Sequence, residues 1–501
     1  MTTLTDSKRL AKNTALMYVR MVFLMLLSFY MSRVLLNNLG IEDYGIYNVV
    51  GSFVAIFSGI KILFATSTQR FLNFEMGRGN CKLLNTIFST SVIVNVIISI
   101  FFLILLEVAG LWYFDGKINV APDKLNDAYI VFHMSVLTAI VSIMTVPYDG
   151  VILAHEKMDF YAAITVLEGV LKLCIALSLM FLFNNKLILY SIFLFGVSII
   201  IRFIEYFYCK INFEECSFKL IWDKRIFKEM LSFSGWQLLG NTAYAISQHG
   251  VNIVFNFFGG PIVNAARGLS LQIFDATNRF LSSITVVANP YSVKKYAEGN
   301  SEQMYKIMYF LSKLLFLVQL FMVIPLMIFT DEALKLWLGE VPPYTIGFVR
   351  LILLYSLIRS LHGPVDIIFK AVGQLRTYQI ADSVLLIMPI LFSFLYLLFN
   401  VNYYIAYLFI VAFEIIDLIA ILVISVKKCG LNLFNYLINV ILPCATCTAI
   451  SIISFSLLFC NTSLFTKLFV VVISFIMVST YMYFKGFSTN EIQTIKSILK
   501  K

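Results

Sequence analysis

Apolar residues in this chain come in blocks of about twenty, separated by short polar stretches, from one end to the other. A helix needs roughly 20 apolar residues to cross the ~30 Å hydrocarbon core of a bilayer. The pattern predicts fourteen such helices, at about 12–36, 43–66, 84–112, 127–150, 159–183, 187–209, 227–256, 262–288, 304–329, 345–369, 377–399, 403–426, 436–459 and 465–484. The expected fold class is all-α, a polytopic membrane protein with no soluble domain of any size. The first block, Leu16 to Leu36, is too long for a signal-peptide core and has no small-residue cleavage site after it, so it reads as the first span.

Lysine and arginine test that count, because basic residues in short loops resist translocation. With the N-terminus inside, the inner segments carry Lys8, Arg9 and Lys12, then Arg70, Arg78 and Lys82, then Lys157. They continue with Lys210, Lys219, Lys224, Arg225 and Lys228, then Lys294, Lys295 and Lys306, then Lys370 and Arg376, then Lys427 and Lys428, and finally Lys485, Lys496, Lys500 and Lys501. The outer loops hold Lys117, Lys124, Lys186, Lys335 and Lys467, with Arg33 near the border. One span more or fewer would reverse every later loop. Both termini are expected in the cytoplasm.

Composition agrees. The chain is 60% hydrophobic and 13% charged, against about 45–50% and 25% in soluble domains. Lipid is therefore the expected solvent. The net charge of +10 is dispersed over many loops, so no nucleic-acid partner is expected. Cys444 and Cys447 form a CxxC inside the apolar run Ile438–Phe459, where small apolar packing is the better reading.

The chain also repeats itself. Gly40 aligns with Gly259 at an offset of 219, and Gly79-Asn80 with Gly299-Asn300 at 220. Pro147, Asp149, Ala154 and Tyr161 align with Pro364, Asp366, Ala371 and Tyr378 at 217. Two six-helix lobes are expected, 1–215 and 216–430, followed by a helix pair and tail at 431–501. Six is even, so the lobes enter the bilayer with the same orientation, as parallel repeats do around a central cavity in alternating-access transporters. Pro147 and Pro364 predict helix bends; Pro261, Pro290, Pro325 and Pro389 act similarly or mark helix ends.

A charge at mid-bilayer costs roughly 2.5–3.5 kcal/mol on insertion scales and needs a wet cavity or a partner. The basic set is Arg20, Lys61, Lys172, Arg267, Arg279, Arg350 and Arg359; the acidic set is Glu168, Asp275, Asp366, Glu414 and Asp417. Glu168/Lys172 and Asp275/Arg279 stand four apart and can pair locally. Arg359, His362, Asp366 and Lys370 share a helix face, which is either a gate contact or a wetted helix end. Arg20, Lys61, Arg267 and Arg350 have no acidic residue at helical spacing, so they, with Arg279, are the candidates for a cationic cavity. An anionic headgroup would compensate them, and arginine suits phosphate through bidentate hydrogen bonds. Asn and Gln at 48, 69, 241, 248, 252, 264 and 278 either meet sugar hydroxyls or hold helices together. Glu414 and Asp417, mid-helix, are candidates for ion coupling or gating together with Asp366 and Arg359. His133 reads as structural.

Enzyme readings find little support. The longest outer loop, about Tyr113–Asn126, holds Asp115, Asp123 and two lysines; no Walker glycine loop and no metal-ligand spacing occurs. No metal and no cofactor are expected, beyond coupling to H+ or Na+.

The stretch from Lys12-Asn13-Thr14 through Ser32-Arg33-Val34-Leu35-Leu36, then Leu39-Gly40-Ile41-Glu42-Asp43-Tyr44-Gly45-Ile46-Tyr47, resembles the opening of Wzx-type polysaccharide flippases. So do Thr68-Gln69-Arg70-Phe71 with Gly77-Arg78-Gly79-Asn80, and Val146-Pro147-Tyr148 leading to Ala154-His155-Glu156-Lys157-Met158. That family belongs to the multidrug/oligosaccharidyl-lipid/polysaccharide exporter superfamily, and the likeness is most specific over about the first 210 residues. It implies two six-helix lobes around a cavity, often with an extra helix pair. It implies export of undecaprenyl-pyrophosphate-linked oligosaccharides across a Gram-negative inner membrane, for O-antigen or capsule, beside polysaccharide polymerase and chain-length machinery. Related flippases place basic residues of helices 1, 2 and 8 in the cavity; by position Arg20, Lys61 and Arg267 or Arg279 match them here. A cation-coupled multidrug exporter of the same fold is the main rival, a membrane glycan polymerase a weaker one.

Overall fold

In the computed structural model, residues 4–56, 68, 71–72, 81–114, 118–155, 157–181, 185–219, 224–297, 300–456 and 463–493 are described, and among them the regular structure is entirely helical. Lys61, Gln69, Gly79 and Gly299 lie outside the described residues. The helices are α1 (Leu4–Ala55), α2 (Cys81–Phe114), α3 (Leu125–Met144), α4 (Val146–Ala154), α5 (Met158–Ser178), α6 (Lys186–Asn212) and α7 (Lys224–Ala297). They continue with α8 (Ser301–Ile328), α9 (Thr330–Leu338), α10 (Thr345–Arg359), α11 (His362–Val372), α12 (Leu375–Phe399) and α13 (Tyr403–Cys429). Last come α14 (Leu433–Tyr436), α15 (Leu442–Ser456) and α16 (Leu464–Tyr481).

Among the described residues, eleven helical segments are long and apolar enough to cross a membrane. Ten of them match ten of the predicted spans one for one. The eleventh, Val19–Ala55, joins the first predicted span to the start of the second. The predicted spans 227–256 and 262–288 both lie in α7. The cause is the same in each case: two helices meet at one glycine whose backbone is not helical, with no loop between them. Gly40 has φ 82° and ψ 171°, and Gly260 has φ 66° and ψ −167°. Essentially only glycine occupies that region of backbone space. The two stand 220 residues apart, so the backbone pairs Gly40 with Gly260 rather than with Gly259, the offset already seen for Gly79 and Gly299.

Both predicted proline bends occur. α3 stops at Met144 and α4 restarts at Val146, with Pro147 in its first turn. α10 stops at Arg359 and α11 restarts at His362, with Pro364 in its first turn. A proline there has no N–H for the carbonyl four residues back, which frees the chain to break just before it. Pro325 and Pro389 sit inside continuous helices instead. Between α14 and α15 lies a π turn, Leu437–Ile441, and Pro443 is the second residue of α15.

By its contacts the chain divides into two compact units, residues 1–268 with 337–343 and residues 269–336 with 344–501. In the first, α1 packs on α5 and α3 packs on α6. Small residues set the close approaches, as is usual where lipid supplies no hydrophobic drive. A Cβ at Gly45 would stand 2.0 Å from the Pro261 carbonyl oxygen, and one at Gly268 would stand 2.6 Å from Asn48 Oδ1. Asn48 and Gly268 are 220 residues apart, the same separation as Gly40 and Gly260. Asn264 Nδ2 donates to the Gly45 carbonyl at 3.3 Å and Asn252 Nδ2 to Ser52 Oγ at 2.6 Å. These amides hold helices together.

In the second unit α12 pairs with α13, and one apolar core joins α8 to α11, α13, α15 and α16 through residues such as Phe316, Ile324, Phe369, Ile421, Val440 and Val478. Cys444 and Cys447 are buried in that core as free thiols. The helix pair after residue 430 is built into this core.

Candidate functional site

The densest buried charge lies in the second unit, at the break between α10 and α11. Arg359 ends α10 and His362 begins α11. α13 brings Glu414 and Asp417, one turn apart, and α12 brings Asp382. All four partners of Arg359 are buried, Asp417 to 1% exposure. One nitrogen, Arg359 Nη1, stands 3.3 Å from Glu414 Oε1, 3.5 Å from Asp382 Oδ1 and 3.6 Å from Asp417 Oδ2. His362 Nδ1 lies 3.4 Å from the same nitrogen. His362 Nε2 lies 3.1 Å from Glu414 Oε1 and 3.8 Å from Asp417 Oδ2, without the alignment of a hydrogen bond. Neither oxygen of Asp417 has a hydrogen-bond partner.

One guanidinium thus faces three carboxylates near the middle of their helices. A charged hydrogen bond normally closes to about 2.7–2.9 Å, so Arg359 is shared among the three rather than committed to one. Buried charge left uncompensated is costly. The remaining negative charge can be met by protons or by a cation, and His362, Glu414 and Asp417 offer donor atoms within 4.8 Å of one another. Asp366 and Lys370, one turn further along α11, balance each other at 2.5 Å.

Of the predicted coupling residues, Arg359, Glu414 and Asp417 share this cluster and Asp366 sits beside it. The spacing along the chain puts His362 on the same face as Arg359, but Asp382, seven residues into α12, is not among the residues it singles out.

The predicted cationic residues have separate surroundings. Arg20, on α1, donates to Thr165 Oγ1 at 3.4 Å and lies 5.0 Å from the centre of the Tyr161 ring, both on α5. It has no ion pair among the described residues. Arg267 is fully buried in the first unit, with His249 beside it. Arg279 and Asp275 are exposed on α7. Arg350 is exposed and pairs with Asp331 at 3.4 Å, so its charge is met from another helix. Glu168 and Lys172 pair at 2.5 Å, as their spacing predicts, and His133 pairs with Glu107 at 3.0 Å.

The first unit also holds a group that sequence reading missed. Arg202 lies 3.9 Å over the Tyr148 ring, with the carboxylates of Asp149 and Glu205 close by. Tyr148 and Asp149 follow Pro147, in the repeat position of Pro364 and Asp366. Asp149 is buried just after Pro147, whereas Asp366, at the matching offset after Pro364, is partly exposed.

The sequence matches no protein-family profile and no curated protein. Solved structures do resemble it. An inward-facing multidrug resistance MATE family transporter of the MOP superfamily superposes with a TM-score of 0.68 at 13% identity, covering 81% of this chain and 94% of that one. The lipid II flippase MurJ, in an inward closed conformation, gives 0.65 at 12% identity and covers 93% of this chain and 98% of its own. A MOP superfamily transporter from Pyrococcus furiosus, described as having a binding pocket of reverse polarity, gives 0.56 at 13%, covering 82% and 95%. At these identities the likeness is one of architecture. The chain has the fold of MOP superfamily transporters.

Proposed function

We propose that this protein is a transporter that flips undecaprenyl-pyrophosphate-linked oligosaccharides across a bacterial inner membrane, by alternating access, for O-antigen or capsule synthesis. Its termini are cytoplasmic in this reading. The observation that carries it is Arg20: a guanidinium within an apolar span, held by a hydroxyl and a ring, with no carboxylate pairing with it among the described residues. A pyrophosphate supplies the missing charge, and Arg267 and Lys61 are the further cationic candidates. The likeness to a lipid II flippase over 93% of the chain supports a lipid-linked substrate. The cluster of Arg359, Asp382, Glu414 and Asp417, with Asp366 alongside, serves ion coupling or gating in this scheme.

A second reading, a cation-coupled multidrug exporter, is favoured by the buried carboxylates Glu414 and Asp417 and by the MATE likeness. Drug cations have no use for Arg20. Replacing the chromosomal copy with Arg20→Ala separates the two. Surface glycan should fall about tenfold or more, the worth of a charged hydrogen bond, while lipid-linked oligosaccharide accumulates; Arg20→Lys should keep part of the activity. Normal surface glycan and normal intermediates in Arg20→Ala, at equal protein level, would end the flippase reading.

A further inference from the structure

We infer that Arg359 is the resident cation of the buried acidic cluster, and that its guanidinium bars sodium and other metal ions from the place where three carboxylates converge. The inference rests on reading this cluster as the coupling site, and it decides which ion that site accepts.

The geometry is specific. Oxygens from Asp382 on α12 and from Glu414 and Asp417 on α13 surround one nitrogen at 3.3 to 3.6 Å. A bound metal ion would be drawn to that same point, because it is where these oxygens point together. Divalent metals need oxygens at about 2.0–2.6 Å, so ion and guanidinium cannot both fit among them. An ion displaced to the His362 side would still sit close to a like charge in a mostly buried region, where such repulsion is weakly screened. The other charged neighbours give no relief, since the Asp366 carboxylate is already matched by Lys370. Tyr355 and Tyr378 complete the wall beside Arg359 and bring no formal charge.

Arg359 is also placed to stay. It is the last residue of α10, just before the break that precedes Pro364, and His362 at the start of α11 stands against it. A helix C-terminus favours a cation. With the guanidinium holding the centre, the carboxylate charge it leaves unmet falls to protons. Arg359 thereby acts as the specificity determinant of the coupling step, and it does so by occupying the site.

The test uses the full-length protein purified in detergent, with sodium alone as probe. Binding of radioactive sodium and the thermal unfolding midpoint are measured in NaCl against choline chloride, at fixed pH and ionic strength. The wild type should show no saturable sodium binding and no sodium-dependent shift. Arg359→Gln, which vacates the centre and leaves the carboxylates, should gain saturable binding and a raised midpoint, and Asp417→Asn in that background should remove both. Saturable sodium binding by the wild type that Asp417→Asn abolishes overturns the inference, as does a folded Arg359→Gln that gains none. Should Arg359→Gln not survive purification, the wild-type and Asp417→Asn measurements decide alone. No transported substrate enters these assays, so their outcome is independent of the Arg20 experiment.

Discussion

Glu215 follows the end of α6, buried to a tenth of its side-chain exposure, and His155 at the end of α4 reaches it through Nε2. Asn85 on α2 donates to the Glu215 carbonyl at 2.9 Å and to the Ser217 carbonyl at 2.6 Å, pinning the same short segment. Burial pushes the Glu215 carboxyl up, but the hydrogen bond from His155 and one from its own backbone amide outweigh that and hold it below the usual glutamate range. A lowered carboxylate stabilises the fold fully above its unfolded value, about 4.3, and the contribution is lost as pH falls through the lower folded value. The thermal midpoint of the wild type should therefore drop more steeply between about pH 5 and pH 3 than that of Glu215→Gln; parallel acid limbs would show that the pair contributes nothing.

At this scale, what the sequence reveals depends on contrast. Glu414 and Asp417 stand out because nothing else in Tyr403–Val426 is charged, and the 3–4 spacing joins Arg359 to His362. Arg202 and Glu205 escape notice because no spacing along the chain ties them to Tyr148 and Asp149, which lie on another helix. Arg350 looks unmatched because Asp331 lies on a different helix, beyond the reach of any spacing rule.

Among the elements, the two glycine breaks have the clearest mechanical meaning. At Gly40 nothing stands within 4 Å of an added Cβ, and at Gly260 the nearest atoms belong to Asn119 at 3.7 Å. Room is therefore not the constraint; backbone conformation is. Gly40→Ala and Gly260→Ala should each cost about 1–3 kcal/mol through strained dihedrals, read as lowered unfolding midpoints. Gly51→Ala, also with open space around it but at an ordinary helical position, should be tolerated. Equal effects at all three sites would remove the breaks from consideration.

Helix existence follows directly from the apolar blocks, since a bilayer leaves the backbone few alternatives. Continuity does not. A glycine between two blocks reads as a loop in sequence, whereas here two helices abut at it with a single non-helical residue between them, and the repeat register moves from Gly259 to Gly260 for that reason. The proline breaks were legible because the missing N–H acts locally.

On the scale of the whole molecule, the helix pair after residue 430 is joined to the second unit by charge as well as by apolar contact. Lys313 on α8 is 4% exposed; its Nζ donates to Glu491 Oε2 at 2.7 Å and to the Gly486 carbonyl at 3.0 Å, and the Phe487 ring lies 5.3 Å away. Removing one partner of a buried pair costs about 3–5 kcal/mol, while replacing both with apolar residues is often neutral. Glu491→Ala should lower the unfolding midpoint sharply, and Lys313→Met with Glu491→Leu should recover most of the loss. A double variant as unstable as the single one would mean that the pair holds the tail by geometry that apolar packing cannot replace.

The two partners of that pair are 178 residues apart in the chain. During synthesis Lys313 leaves the ribosome long before Glu491 exists, so its ammonium must find interim company among water or lipid phosphates. Assembly of this half is thereby tied to the order of translation: α8 is laid down early, and its interior is sealed only when the last helix and the segment behind it have been made.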